Sequence, residues 1–446
     1  MDYKKGNLIY ILIAFVFFGC SNDNEVDTSQ LAISITNFQP SYNEVKIDWE
    51  LKRPNGVIID NLLIYRTEKN GESDLYQEKL IANLPSNETS YIDNDVPYKD
   101  EVSYSVRITY RDERGKEVSY NNEMKSEPKK FIREIVKFDL VPLQVQKDPV
   151  QPNIFHILDN NGSGSLIKYN SATNTVEQTK TFQNGVYLNS KFQIIKNNEI
   201  YIAEFQGKIH KINAENYQTI ESYPGISAYN LRVFWVSGNR IYYQDQDELF
   251  FYDTSTGITS RTGGSSSSDY SESIGNDNFL FLYARNSNWL SIYGFTPENC
   301  QSLDCNPTFQ YPTPQVMLKD NSIDPNILAW NSSRTKFITS INGVVYNIKT
   351  LKEEKRLNEI TGKHYFQYAY DANNNIYATV QGEKKIHKFN SNYELIQVID
   401  TKLYPIYPLV TNEGLKVLGS YESFSYWSFS YNYSFSFNIK SAIETF

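Results

Sequence analysis

NEIYIAEFQGKIHKINAENYQTIES, Asn198 to Ser222, sets the pattern for most of the chain. Ile200, Tyr201 and Ile202 form an apolar run, Glu204 to Gly207 is a short polar turn, and Lys208 to Ile212 alternates polar and apolar before an Asn-Ala-Glu-Asn turn. Two short runs of that kind around a polar turn predict a β-hairpin. The device returns from Asn153, Asn239, Asn278, Asn375 and Gly414, with a weaker copy from Lys336.

Seven copies about 40 residues apart are the period of four-stranded propeller blades. A short apolar run is read before every hairpin, as Phe192 to Ile195, Leu231 to Trp235, Ile327 to Trp330, Tyr365 to Tyr370 and Ile406 to Val410. These are expected to be the innermost strands, lining a central channel. A many-stranded sandwich is the alternative, but a regular period favours radial repetition, which leaves only short edges. The blade count is read as seven; an insertion around Cys300 and an irregular last repeat leave six or eight as neighbouring counts. Ile135 to Leu140 precedes the first full blade and is expected to pair with the last one, closing the ring.

Composition agrees with β structure: 35 Tyr and 25 Phe stand against 3 Met in 446 residues, as cross-strand aromatic pairing favours. The formal charge of −9 and the lack of a basic cluster beyond the N-terminus argue against nucleic acid as a partner.

At the N-terminus, Lys4 and Lys5 precede an apolar run from Leu8 to Phe18, too short to span a bilayer. It ends in FFGC, Phe17 to Cys20, which resembles the lipobox of bacterial lipoproteins, with Phe17 where Leu is usual. The resemblance implies a signal peptide over 1–19 and lipidation at Cys20. Several acyl chains there would anchor the chain stably, since each buried methylene contributes about 0.8 kcal/mol. The acidic tether that follows, 20–30, begins SNDNEVD after the cysteine and resembles the signal of Bacteroidota lipoproteins displayed on the outer face of the outer membrane.

Residues 31–130 read as a small sandwich. Val45, Ile47 and Trp49 alternate, Leu62 to Arg66 forms another strand, and Val102, Tyr104, Val106 and Ile108 alternate again. Trp49, the segment Thr89 to Val96 and Tyr104 resemble the second-strand Trp, the segment before the sixth strand and that strand's Tyr of fibronectin type III domains. The resemblance implies a spacer ahead of a propeller at 131–446. YDANNNIYATV, Tyr370 to Val380, resembles the blade signature of NHL and YVTN propellers, with Asn374 where Gly is usual. Asp371, Asn373 and Asn375 offer alternate oxygens that would suit calcium, but no acidic residue follows at bidentate spacing, so an Asx turn is expected.

Chemistry is sparse. Cys300 and Cys305 are expected to form a disulfide in an oxidising compartment, worth about 2 kcal/mol; a metal site there lacks a second pair of ligands. His210 and His387 occupy one position of the related strands KIHKIN and KIHKFN, which points to a blade-surface or packing role rather than to one shared site; His156 lies in an apolar strand. Zinc, nucleophile-elbow and phosphate-loop motifs are not found, so neither cofactor nor metal is expected. From Trp427 to Ile439 large apolar residues alternate with Ser and Asn, more as packing between blades than as a stacking platform.

Binding is expected on the loops joining second to third strands, with Gly263 to Ser273 as a flexible loop beside them. Phe205, Asp247, Arg285 and Trp289 are the candidates, because aromatic and Arg side chains are favoured anchors. The expected function is that of a noncatalytic, surface-anchored lipoprotein binding an outer-membrane protein, such as a TonB-dependent transporter, or a glycan or small nutrient. The rival is a propeller lyase or glycosidase, which needs two carboxylates about 5 to 9.5 Å apart. A scaffold for another envelope protein alone is a third reading, marked by an apolar patch without a deep pocket.

Overall fold

The structure is a computed structural model. It describes residues 28–69, 76–112, 123–159, 164–183, 192–195, 198–204, 208–223, 232–245, 248–265, 270–275, 278–283, 289–294, 316–317, 323–324, 326–423 and 439–446. The chain divides into two compact units, the first ending at Glu134 and the second running Ile135–Phe446. Cys20, Cys300, Cys305 and the aromatic run 427–438 lie outside the described residues.

The first unit is a two-sheet sandwich. Ala32–Pro40, Val45–Lys52 and Ser90–Asp93 form one sheet; Tyr76–Leu84, Val57–Lys69, Glu101–Asp112 and Glu123–Lys125 form the other, with Lys129–Ile132 also on Glu101–Asp112. The period-two runs explain this. Val45, Ile47, Trp49, Leu62, Ile64, Val102, Val106 and Ile108 all enter one core. Arg66 continues the inward face of Leu62 and Ile64, and is buried because it is paired: Nη1 donates to Asp93 Oδ2 at 2.8 Å and Nε to Glu68 Oε1 at 2.9 Å. Tyr104 donates to the same Asp93 Oδ2 at 2.8 Å, and Trp49 Nε1 donates to Glu88 O at 3.1 Å.

The second unit is a β-propeller. Among the described residues it holds seven four-stranded sheets, each an antiparallel meander in chain order except that the last completes itself with a strand from the start of the unit. Blades 1 to 6 cover 144–181, 193–223, 232–265, 270–317, 328–356 and 365–400; blade 7 covers 404–445 and adds Lys137–Phe138. The second strands begin at Ile154, Glu199, Arg240, Asn278, Lys336, Ile376 and Gly414, each at or within one residue of a repeat start read from sequence. First strands of successive blades lie against each other where 193–195 meets 232–237, 232–237 meets 270–275, 328–330 meets 365–370 and 365–370 meets 404–411. That is radial packing about an axis.

The core lies between blades. Leu158 and Leu166 of blade 1 pack on Ile200, Ile202 and Ile212 of blade 2; Tyr201 and Ile209 of blade 2 pack on Val233 and Tyr243 of blade 3. A blade buried on both faces needs strands without strict alternation, and Ile154–Asp159 is buried at every position. Ring closure is formed where the sequence placed it. Phe138 opposes Ser441, Lys137 opposes Ala442, and the Ile443 N–H donates to Val136 O at 2.9 Å.

One turn recurs between third and fourth strands. Asn170, Asn213, Asp253, Asn347 and Asn390 each accept two later backbone N–H groups on Oδ1, as at Glu215 N (2.8 Å) and Asn216 N (3.2 Å) for Asn213. A residue in the left-handed region ends each turn: Asn174, Tyr217, Gly257, Leu351 and Tyr393. The Asx side chain supplies what a backbone turn otherwise lacks. At blade 5, by contrast, Gly343 has φ +65° in the turn between second and third strands, and a Cβ there would lie 2.9 Å from Leu357 Cβ and 3.0 Å from the Tyr368 hydroxyl. Gly343→Ala therefore combines strain with overpacking and is expected to cost roughly 1–3 kcal/mol; urea unfolding of the propeller checks it, and an unchanged midpoint would contradict it.

One loop read from the sequence is corrected. Gly263 to Ser273 is not a loop throughout: Ile258–Ser265 is the outer strand of blade 3, and Tyr270–Gly275 is the first strand of blade 4. Gly and Ser hide a strand because ladder bonds need only the backbone. The 295–315 insertion falls between the third and fourth strands of blade 4.

Candidate functional site

A cavity of about 370 Å³ opens among the innermost strands of the propeller. Blades 1, 5, 6 and 7 supply strand positions Gln144 to Lys147, Leu328 to Trp330, Gln367 to Tyr370, and Tyr407, Pro408 and Val410, while Gln193 and Glu272 come from blades 2 and 4. It lies where apolar runs before each hairpin were expected to line a channel. Two of its strands escaped the sequence reading, Gln144–Lys147 and Tyr270–Gly275, since neither contains an apolar run.

The polar groups of its wall join one blade to the next. The Gln144 side chain accepts the Phe192 N–H at 3.1 Å and donates to Phe192 O at 3.3 Å, tying blade 1 to blade 2. Gln367 Nε2 donates to Asn326 O at 2.7 Å. Tyr407 donates to Pro142 O and Leu143 O at 3.1 Å, tying blade 7 to blade 1. Behind the wall, on the second strand of blade 6, Thr379 Oγ1 donates to Ile406 O at 2.8 Å and ties blade 6 to blade 7.

In the lining, Trp330 Nε1 donates to Glu272 Oε2 at 2.9 Å and Arg334 forms a salt bridge with the other oxygen, Oε1. The Arg334 guanidinium also lies 4.9 Å from the centre of the Trp330 ring. Glu272 is the one carboxylate among the described residues of the lining, and it already accepts from two donors. Lys147 Nζ donates to Val410 O at 3.0 Å, and partial burial lowers its pKa. The Tyr370 hydroxyl is buried and its pKa is raised, first by burial. The arrangement can hold a polar guest, and among the described residues of the lining no second carboxylate stands beside Glu272 to make the pair of a glycosidase.

The histidine clusters lie within blades or between them: those of His210 and His387 are internal to blades 2 and 6, and that of His156 joins blade 1 to blade 2. His156 is fully buried between Tyr217 OH (2.7 Å) and Asp148 Oδ2 (2.8 Å). Burial raises the Asp148 pKa, but bonds from His156 and the N–H groups of Gln151 and Val150 outweigh it and hold the carboxyl below its ordinary value. His210 binds Glu204 and Ser222 at 2.9 and 2.8 Å. His387 lies 3.1 Å from the Tyr365 hydroxyl, and burial lowers its pKa. Of the blade-surface and packing roles read for His210 and His387, these contacts and the burial of both rings describe the second. Since the folded pKa of His387 lies below its unfolded value of about 6.5, its contribution is complete above that pH and is lost as pH falls through the depressed value. Wild-type propeller stability is therefore expected to fall more steeply between about pH 7 and 5 than that of His387→Phe; equal slopes in denaturant titrations would contradict this.

The Asp371 turn is closed by its own donors. Oδ1 accepts Asn373 N and Asn375 N at 2.9 and 2.8 Å, Oδ2 accepts Asn375 Nδ2 at 2.8 Å, and Asn374 takes φ +59° in place of the usual Gly. Among the described residues no group of three metal-ligating side chains forms. Of the binding candidates, Phe205, Asp247 and Arg285 lie outside the described residues; Trp289 begins the third strand of blade 4, and its side chain is outside them.

No family model matches the chain, and no curated protein matches it. Solved structures similar to it include BamB from Moraxella catarrhalis, 12% identical over 68% of this chain and 82% of that one, with a TM-score of 0.37. U3-55K is 10% identical over 70% and 98%, TM-score 0.47, and the Neurospora crassa Pan2 WD40 domain 9% identical over 68% and 88%, TM-score 0.45. Likenesses this distant leave the propeller standing on its own seven sheets and their closure.

Proposed function

We propose that the chain is a noncatalytic lipoprotein, anchored through Cys20 at the outer membrane and exposed at the cell surface, whose propeller binds an envelope protein. The observation that carries this reading is the use of the axial polar groups. Gln144, Gln367, Tyr407 and the Glu272–Arg334–Trp330 cluster bridge blades, so the axis stiffens a scaffold whose rims are left for recognition. The first unit serves as a fibronectin type III-like spacer; its support is the sheet Ala32–Pro40, Val45–Lys52 and Ser90–Asp93 against the sheet Tyr76–Leu84, Val57–Lys69, Glu101–Asp112 and Glu123–Lys125, with Trp49 and Tyr104 in the core between them. The partner is an outer-membrane protein such as a TonB-dependent transporter, with the chain as its accessory or capture subunit.

Two experiments test this. Cell fractionation is expected to leave the wild-type chain with the outer membrane and open to added protease, and to release Cys20→Ala; a wild-type chain that stays soluble would overturn the anchor. Incubation with polysaccharides is expected to give no cleavage beyond a blank. Cleavage abolished by Glu272→Gln would establish the carbohydrate-active enzyme instead.

A further inference from the structure

The outer strand of a propeller blade leaves one backbone edge to solvent, and natural edges are usually blunted by charge. Thr175–Thr181 of blade 1 (TVEQTKT), Thr219–Tyr223 of blade 2 (TIESY) and Glu353–Arg356 of blade 5 (EEKR) follow that rule. Blade 6 does not. Its outer strand, Leu395–Asp400 (LIQVID), has neither charge nor Pro before its last residue, and Leu395, Ile396 and Val398 are 39%, 51% and 46% exposed. In blades 1 and 2 a single large apolar residue of the outer strand stands out so far, Val176 and Ile220.

The backbone is ready to pair. Thr401 N donates to Lys384 O at 2.9 Å, and the register then sets Ile399 against Ile386 and Gln397 against Lys388. Alternation in an antiparallel ladder turns the backbone groups of Ile399 and Gln397 inward and those of Val398 and Asp400 outward. Among the described residues no strand lies on that outward edge.

Charge selects the occupant. The apolar run is bracketed by exposed acids, Glu394 before it and Asp400 at its end. A second copy of the chain would bring acid beside acid at both ends, whichever way it ran, and like charges across a ladder are destabilising. We infer that this edge takes, as an added strand, an extended segment of another protein that is apolar in its middle and carries Lys or Arg at both ends. The inference rests on the partner-binding function and says where on the propeller the partner is held.

The probe is a capped heptapeptide, Lys-Val-Thr-Val-Thr-Val-Lys, added to the full chain in detergent, with binding followed by anisotropy and by amide exchange. Saturable binding with slowed exchange at Val398 and Asp400 is expected, and a peptide with Glu at both ends should bind about tenfold more weakly. Val398→Pro, which removes an outward N–H and leaves the inner ladder intact, should abolish binding. Glu394→Lys with Asp400→Lys should reverse the peptide preference. Equal binding of both peptides, protection elsewhere, or chain dimers joined through this edge would overturn the inference. A chain that ignores the peptide yet retains a membrane protein partner would leave the binding function standing and remove only this surface from it. Peptide capture at the edge with no membrane partner retained would do the reverse.

Discussion

Asp93→Ala is expected to destabilise the N-terminal sandwich by roughly 3–5 kcal/mol, the cost of leaving a buried charge without its partner. Asp93 accepts from Arg66, from Tyr104 and, at 2.9 Å, from the Asp95 N–H. Burial raises its pKa, but these three bonds outweigh burial and hold the carboxyl below its ordinary value. Its contribution is therefore complete above the unfolded carboxyl range and is lost as pH falls through the depressed folded value. Arg66→Met with Asp93→Leu should recover most of the loss, because a packed apolar pair of similar volume removes both charges together. Since the chain has two units, the readout is amide exchange at Val57–Lys69 and Glu101–Asp112 rather than a single global midpoint. Unchanged protection in the Asp93→Ala chain would contradict the account of this network.

Phe138→Ala is expected to weaken the propeller by a comparable amount, roughly 3–5 kcal/mol. Phe138 is buried in the cluster that joins blade 7 to blade 1, beside Phe155, Ile406 and Ile443. It sits on the two-residue strand that supplies the fourth position of the last sheet. Removing the ring leaves a cavity where the two ends of the ring meet, so the loss should fall first on exchange protection at Ser441–Thr445. Retained protection there, with an unchanged midpoint, would mean that the ring does not depend on this closure.

These two residues also mark what the sequence makes legible. Phe138 lies in an apolar run with no hairpin of its own, and the need to cover the edge of the last sheet was enough to place it. The second strands were legible for a local reason: several follow a turn residue in the left-handed region, as those of blades 2 and 6 follow Asn198 and Asn374 at φ +62° and +59°, and continue with side chains buried between sheets. Asp93 and Arg66 were less legible. Arg66 stands at an inward position of an apolar strand, and nothing local says that its partner comes from a segment 27 residues away.

The axial cavity was the hardest to read. Gln144, Glu272, Trp330 and Gln367 are far apart in the chain and meet only because ring closure brings their strands to one axis. The polar first strands around Gln144 and Glu272 have no hydrophobic period to reveal them. The apolar edge of blade 6 was present in the sequence as LIQVID, but an apolar run reads equally well as core; only its place as the outermost strand makes it exposed.

Co-purification tests the central claim most directly. The tagged, lipidated chain is recovered from detergent-solubilised outer membranes beside a Cys20→Ala control, and the proteins retained are identified and quantified by mass spectrometry. The account predicts an integral outer-membrane protein in stoichiometric amount with the wild-type chain and its loss or marked depletion with the control. Recovery of the lipidated chain alone, under conditions that keep known membrane complexes intact, would contradict it.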